Sequence, residues 1–263
     1  MASSTLVRDV LRDVSAQLND LDPQFNRWTQ ADLLMGLNDA QTVIATYMPW
    51  SCSRSDAIKL KPGTKQTIDR ISATDIVPGD GSTPVEMLGH SLHRVVRNAG
   101  NTGTKPGRAV TLTDFDTMDI MDPNWHASLG SELLQYVYDP RNPKLFYAYP
   151  GVPTTGSVWV EVAYQAAIRR IVASGPAQFA ASGTDSTTLT VDDKFIPDVH
   201  NYIMARAYLK DAEAGGNAQM AVTYGQLFTG SLNAQVAAMT GVNPNLQSIS
   251  INPSMLAAPA PKG

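Results

Sequence analysis

The sequence predicts an α+β protein: a four-helix bundle formed from both chain ends, with an inserted antiparallel β-rich domain and an extended C-terminal tail. Apolar residues recur at helical spacing near both ends, and short alternating runs punctuated by glycine and proline fill the middle. The last segment is too rich in proline to form a helix. We therefore expect N-terminal helices in 1–58, a β-rich domain in 59–194, a helical hairpin in 195–240 and a tail in 241–263.

Two helices are predicted near the N-terminus. Between residues 4 and 19 one apolar stripe has helical spacing, formed by Leu6, Val7, Val10, Leu11, Val14 and Leu18. A second helix should run from Thr29 to about Met48, because Thr29 can cap it and Asp32 completes a capping box. The apolar face of this second helix comprises Leu33, Leu37, Ala40 and Ile44.

Polar side chains lie beside that apolar face. Asn38 and Gln41 stand where an ordinary amphipathic helix would carry Glu or Lys. We expect these two amides, together with Asp39, to contact something other than solvent.

The middle of the chain has the pattern of strands and tight turns. A hairpin is predicted over 136–149, with Pro140 and Pro143 in its turn. One more strand is possible at 187–191. The other predicted strands are 59–61, 66–71, 92–97, 109–112, 133–139, 144–149 and 158–164.

Helical spacing returns at Pro197, a favoured first helical residue, and stops at Gly215-Gly216. Asn217 is a plausible cap for a last helix that ends near Gly241. Its expected apolar face comprises Met220, Tyr224, Leu227, Phe228, Leu232 and Val236. Since neither this hairpin nor the N-terminal pair can bury its apolar face alone, the two pairs are expected to form one bundle.

The tail contains proline yet is too apolar for a simple solvated end, although a disordered terminus is the plain alternative. Ordering it costs about 1 to 2 kcal/mol per residue, and burying each large apolar side chain returns only about 1.5 to 3 kcal/mol. One copy would therefore bind weakly, whereas several copies in a ring would bind a symmetric partner with avidity. The alternating 249–251 segment could add a strand to that partner. The apolar residues are Leu246, Ile249, Ile251, Met255 and Leu256.

Composition excludes several classes of protein. The 263 residues are 43% hydrophobic and carry a net charge of -4, which argues against a surface built to grip nucleic acid. No apolar run approaches the roughly 20 residues that a membrane span needs. The charged N-terminus is unlike a signal peptide, and the single Cys52 agrees with a reducing compartment, so we expect residence in the cytoplasm of the producing cell.

The sequence predicts no catalytic, cofactor-binding or metal site. His90 and His93 lack a zinc-binding context, and the glycine-rich segment 100–107 lacks the Ser or Thr of a phosphate loop, so it should be a turn between strands. A cluster of carboxylates could ligate a cation, but caps and turns are the favoured interpretation. That cluster comprises Asp114, Asp116, Asp119 and Asp122.

A series of short segments then recurs in a recognisable order. They include RWTQADLL at 27–34, LNDAQ at 37–41, GTKQTI at 63–68, VRN at 96–98, PGRAV at 106–110, DPNWH at 122–126, YVYDPRNP at 136–143, FYAYP at 146–150 and RAYLKDAE at 206–213. Together they resemble the head-to-tail adaptor, or connector, family of tailed bacteriophages over roughly residues 5–235. The segment 69–89 is longer and more irregular than expected for that family.

The resemblance implies a non-catalytic structural protein of the virion. It implies a dodecameric ring beneath the portal protein that joins the capsid to tail or nozzle proteins and lines the DNA exit channel. We expect Asn38, Asp39 and Gln41 to form ring contacts and the tail from 242 to 263 to dock onto the portal. The resemblance implies no cofactor, no membrane contact and no specific binding of the passing double-stranded DNA, with assembly in the host cytoplasm.

Two other classes remain open at this point. A tail-tube or fibre-attachment subunit would share the composition but bind tail proteins instead of the portal. A virion-associated glycan hydrolase would need a cleft with paired carboxylates, for which Asp116 and Glu161 are candidates.

Overall fold

The computed structural model describes residues 5–20, 27–173, 175, 185–211 and 216–242. The chain forms two compact units. A helical unit comprises 2–51 and 168–263, and a sheet unit comprises 52–167. The predicted tail beyond Val242 lies outside the described residues.

The helical unit contains four long helices contributed by both ends of the chain. Their bounds are α1 Val7–Gln17, α2 Gln30–Tyr47, α4 Ile196–Lys210 and α5 Asn217–Val242; a short α3, Phe115–Met121, belongs to the sheet unit. All four long helices contribute buried residues to one hydrophobic core, among them Val10, Leu37, Ile203 and Phe228. A regular four-helix bundle stays a prediction.

Helix α1 begins without a side-chain cap. The backbone N–H of its first residue, Val7, donates to the carbonyl oxygen of Thr187 at 2.9 Å, which satisfies one of the amides that a helix start leaves open. Residues 187–191 do not form the additional strand, since the structure has only an isolated bridge between Leu6 and Thr188. The predicted apolar stripe is confirmed, because Val7, Val10, Leu11, Val14 and Leu18 are all buried.

Helix α2 begins as predicted at Thr29, whose hydroxyl accepts the backbone N–H of Asp32 at 3.3 Å. Helix α4 carries its proline in the first turn, also as predicted. Helix α5 packs on α4 through two pairs of aromatic side chains, Tyr202 with Phe228 and Tyr208 with Tyr224.

The predicted apolar face of α5 is correct only in part. Phe228, Leu232 and Val236 are buried, but Met220 is 39% exposed and Leu227 is 52% exposed. Asn217 is the first helical residue, and its amide nitrogen donates to Asp211 at the end of α4.

The sheet unit holds two four-stranded sheets. The strands are β1 Ser53–Lys59, β2 Gly63–Thr67, β3 Ile76–Pro78, β4 Gly89–Asn98, β5 Thr111–Thr113, β6 Gln135–Tyr138, β7 Leu145–Val152 and β8 Trp159–Ala166. One sheet has the order β3-β1-β8-β4, and the other has β2-β7-β6-β5. The predicted hairpin is confirmed, with Gln135 opposite Tyr149 and Tyr138 opposite Phe146.

Two features of the sheet unit differ from the expectation. The unit is not purely antiparallel, because β5 pairs in parallel with β6. The short helix α3 was not predicted as a helix, although its cap was: Asp114 accepts the backbone N–H of Thr117 at 2.8 Å.

Candidate functional site

Two segments from opposite ends of the chain meet in the helical unit, where the start of α2 lies against the end of α4. The indole Nε1 of Trp28 donates to the carbonyl oxygen of Ala207 at 3.2 Å. The guanidinium of Arg27 lies over the Trp28 ring, 4.7 Å from its centroid, and also pairs with Asp211. The segments 27–41 and 206–211 therefore form one surface.

Two further ion pairs join the same helices. Lys210 Nζ lies 2.6 Å from a carboxylate oxygen of Asp32. A guanidinium nitrogen of Arg206 lies 3.3 Å from a carboxylate oxygen of Asp39. Although burial raises the pKa of Asp32, its hydrogen bonds with Lys210 and Thr29 lower it below the ordinary value. Both pairs are partly solvated, so each contributes at most about 1 kcal/mol to stability.

Between the ion pairs α2 and α4 form an apolar groove of about 370 Å³. Its lining includes Trp28, Leu33, Met35, Ile203 and Ala207, with the charged side chains of Asp32, Arg206 and Lys210 beside them. Met35 is 45% exposed in this groove, although it is a large apolar residue on a helix. An apolar concavity flanked by internally paired charges is suited to receiving another uncharged surface.

The amides beside the apolar face of α2 have partners within their own chain. Asn38 donates to the carbonyl oxygen of Ile171 at 2.8 Å and accepts the N–H of the same residue at 2.9 Å. Gln41 accepts the backbone N–H of Thr190 at 2.7 Å and that of Val191 at 3.5 Å. These amides thus hold the segments around residues 171 and 190 against α2.

Burial separates the three predicted ring-contact residues. Asn38 is 8% exposed and Gln41 is 0% exposed, whereas the Asp39 side chain is 43% exposed and faces Arg206. Gln41 Nε2 is buried with no hydrogen-bond partner among the described residues. A contact between ring subunits through these residues stays a prediction. Asp39 is the one of the three whose side chain is exposed at the surface.

In the sheet unit Asn98 ties the end of β4 to two loops. Its amide donates to the carbonyl oxygens of Arg108 at 3.1 Å and Leu133 at 2.8 Å, and it accepts the N–H of Leu133 at 2.8 Å. Gly107 passes so close that a Cβ there would lie 2.9 Å from the carbonyl oxygen of Asn98. The sequence segments 96–98 and 106–110 therefore meet around one buried amide.

The segment 122–126 packs against α3. Trp125 is fully buried, its indole donates to Asp119 at 2.9 Å, and its ring stacks on His126 with centroids 3.6 Å apart. Asp122 accepts the backbone N–H of Asn124 at 3.1 Å. The acidic residues around α3 thus act mainly as helix caps, as turn residues and as an acceptor for the Trp125 indole N–H. The predicted role in caps and turns is confirmed.

The model of the family described as SU10 adaptor protein matches residues 4–247. This chain belongs to that family of phage head-to-tail adaptors. A search of the curated proteins finds no match. The matched range covers both ends of α2 and α4, and so includes the whole groove of this adaptor.

The two candidate carboxylates of a glycan hydrolase, Asp116 and Glu161, lie on different elements of the adaptor. Glu161 accepts from Arg97 Nε at 2.6 Å and from the hydroxyl of Ser55 at 3.1 Å. Asp116 lies exposed in the first turn of α3. The family of this chain is a structural one.

The remaining candidates lie on separate elements. His90 and His93 are exposed on β4, and Cys52 is buried. In the part of the chain that the structure describes, no group of three or more His, Cys, Asp or Glu residues is arranged to hold a metal ion. Among the described helices none has the length and hydrophobicity needed to cross a bilayer.

The predicted glycine-rich turn connects β4 to β5, as expected. Gly103 has a φ of 81° and lies against Trp159, whose ring would be 2.7 Å from an added Cβ. Glycine at this position serves a turn and a close contact.

Proposed function

We propose that this adaptor forms a ring, with twelve copies, beneath the portal at the head–tail junction of the virion. In this position it joins the capsid to tail or nozzle proteins and surrounds the DNA exit channel. The observation that carries the proposal is the family match over residues 4–247, within which the two ends of the chain are tied together at Trp28 and Ala207.

A connector is a non-catalytic structural protein, so its subunits have to be mechanically stable. The helical unit suits this task because its long helices are held by one core, three ion pairs and the indole hydrogen bond of Trp28. The exposed pair of Asp39 and Arg206 is available to a neighbouring subunit, which is where we place the ring contact of the segment containing Asn38 and Gln41.

We assign portal docking to the tail beyond Val242. Its apolar residues Leu246, Ile249, Ile251, Met255 and Leu256 lie outside the described residues, so this assignment rests on their spacing and on avidity alone. A ring presents many copies of this weakly binding segment at once, and the portal offers a matching symmetric surface.

The passing DNA should not be held by the channel. A net charge of -4 suits that requirement, because each phosphate that the protein neutralised would add affinity and slow the passage of DNA. Assembly would take place in the host cytoplasm before the ring is carried in the virion.

Mass photometry tests the proposal on the purified full-length chain, alone and mixed with the portal ring encoded by the same genome. A matched version ending at Gly241 lacks the tail. We expect about twelve copies to be added to the portal by the full-length chain and none by the shortened one. A portal whose mass is unchanged by both versions would contradict the proposal and favour another position in the tail.

A further inference from the structure

Helix α5 carries no charged side chain over its 26 residues, whereas 17% of the whole chain is charged. The uncharged stretch extends from Ala214 to Pro261 in the sequence. A solvent-exposed helix in a globular protein normally carries charged residues on its outer side. The outer side of α5 therefore lacks the charged residues of an ordinary solvent-exposed surface.

The helix has two apolar faces. Its inner face packs within the helical unit through Ala221, Phe228, Leu232 and Val236. The outer face repeats at intervals of three and four residues, the spacing of a helix-packing seam, and it is exposed at every position. Its residues are Met220, Thr223, Leu227, Gly230, Ala234 and Ala237.

The outer face combines exposed large residues with small ones. Met220 and Leu227 are 39% and 52% exposed, and a Cβ added at Gly230 would meet no atom within 4 Å. Small residues at 230, 234 and 237 let a second helix backbone approach closely, while the larger ones supply apolar contact. This face is shaped to lie against other helices.

The groove between α2 and α4 has the matching properties. It is apolar, it exposes Met35, and its flanking charges of Asp32 and Lys210 are already paired. An uncharged helix can therefore enter without leaving a charge unpaired, which a charged helix could not do at the same cost. The groove and the outer face are complementary in charge and polarity.

Helix α5 of the same chain does not fill this groove. It packs on another side of α4, where the Tyr202 and Phe228 rings lie 5.0 Å apart and the Tyr208 and Tyr224 rings 5.8 Å apart. A second copy of the chain supplies the same uncharged helix, and so it is the occupant that the composition of the groove favours.

We infer that the outer face of α5 in one copy lies in the α2–α4 groove of the next copy. The inference rests on the proposed function and names the contact that builds the ring. Because the two surfaces differ, the contact is head-to-tail, and its repetition gives a ring when the rotation between copies closes, not a symmetric dimer. Helix α5 is about 39 Å long at 1.5 Å per residue, which limits a single contact to a modest area.

Cysteine crosslinking tests the contact on the full-length chain assembled on portal rings. Met35→Cys is combined in turn with Thr223→Cys, Gly230→Cys or Ala237→Cys, which sample three levels of α5, and a short bismaleimide is added. We expect a ladder of covalent oligomers from at least one pair. The wild-type chain, with its buried Cys52, and each single variant serve as controls that should stay monomeric in denaturing gels.

The mass of each assembly, measured before the crosslinker is added, shows whether the chain has assembled on the portal at all. It therefore separates a failure of the α5 contact from a failure of the proposed function. Assembly on the portal without a ladder from any pair would overturn the α5 contact and leave the proposed function standing. A covalent dimer from a single α5 variant would show that α5 meets α5, which also overturns the head-to-tail contact. If the wild-type chain does not assemble, the proposed function and this inference fail together.

A charge on the outer face gives a second readout. Ala234→Glu places a carboxylate in the seam, whereas Ala218→Glu places the same group on an exposed residue in the first turn of α5, away from the seam. We expect at least a tenfold loss of assembly for Ala234→Glu and wild-type assembly for Ala218→Glu, with equal helix content in both. Equal assembly of the two variants would overturn the inference.

Discussion

The indole nitrogen of Trp28 and the carbonyl oxygen of Ala207 lie 3.2 Å apart, so one buried hydrogen bond joins the entry of α2 to the last turns of α4. Both residues are at most 5% exposed, and water has little access to replace a missing partner. The two most distant segments of the family resemblance therefore stabilise each other directly.

Replacing Trp28 by Phe should lower the free energy of unfolding by about 2 to 4 kcal/mol, because the buried carbonyl loses its donor and a cavity remains. Urea unfolding followed by far-UV circular dichroism measures the change. Trp50→Phe is the matched control, since Trp50 is only partly buried against the same core. Equal losses in the two variants would contradict a special role for the Trp28 hydrogen bond.

Asn38 acts as a clamp on the segment that contains Ile171. In Asn38→Asp the carboxylate cannot donate to the Ile171 carbonyl oxygen, so two acceptors would face each other at 2.8 Å. We expect trypsin to cut after the exposed Arg169 or Arg170 about tenfold faster, because a loss of about 1.4 kcal/mol raises the open population tenfold. Limited proteolysis with mass spectrometry reads the cleavage site.

The neighbouring substitution Asp39→Asn is the control for this experiment. It changes the charge by one unit in the opposite direction, at an exposed position, and leaves the Asn38 amide intact. Faster cleavage in Asp39→Asn than in Asn38→Asp would contradict the assignment of the clamp to the Asn38 amide.

Asp198 is a buried carboxylic acid between α4 and α5. It is 1% exposed, Gln235 Nε2 donates to one of its oxygens at 2.8 Å, and the other oxygen has no partner among the described residues. Burial raises the pKa of Asp198 above its ordinary value, although hydrogen bonds from Ser231 and Gln235 oppose that shift.

The folded state therefore holds this proton to higher pH than the unfolded state does. The contribution of Asp198 to stability is most favourable below its ordinary pKa of 3.8, falls as pH rises through the raised pKa of the folded state, and carries the full cost above it. Asp198→Asn should remove this cost and stabilise the protein by about 1 kcal/mol at neutral pH.

The measurement for Asp198→Asn is the difference in unfolding free energy between wild type and variant, plotted from acidic to neutral pH. Burial lowers the pKa of His200, which destabilises both proteins on acidification, so the difference isolates Asp198. The gain of the variant should shrink as pH falls. A difference that is independent of pH would contradict this account.

In the sheet unit Tyr164 donates its hydroxyl to the Asp56 carboxylate at 2.6 Å, and the other Asp56 oxygen accepts the N–H of Gly79 at 2.9 Å. Burial and the Asp56 carboxylate raise the pKa of Tyr164, so the phenol stays protonated as the donor. Tyr164→Phe should cost about 1 to 3 kcal/mol, since a largely buried carboxylate loses a hydrogen bond.

Tyr138→Phe removes a hydroxyl from a half-buried tyrosine of the same unit, on β6, and is expected to change stability by less than about 0.5 kcal/mol. Thermal unfolding of both variants checks the comparison. A larger loss for Tyr138→Phe than for Tyr164→Phe would contradict the importance of the Asp56 pair.

Local patterns were sufficient for several elements. The spacing of Val7, Val10 and Val14 predicts α1, the Thr29 and Asp32 pair predicts the start of α2, and alternating aromatic residues around Pro140 predict the hairpin. Each signal lies within a few residues of what it determines. The order of the short family segments, likewise readable along the chain, identified the family.

The tertiary structure decided which surfaces remain open and which polar groups are used internally. Asn38 finds its partner 133 residues away, and Gln41 finds one 149 residues away, so nothing in the sequence around them shows that these amides are clamps. Met220 and Leu227 have the spacing of core residues, yet they are exposed because Ala221 and Phe228 turn the other side of α5 inward. Periodicity shows that a helix has an apolar face, whereas only long-range packing determines which face is covered by the chain itself and which is left for a partner.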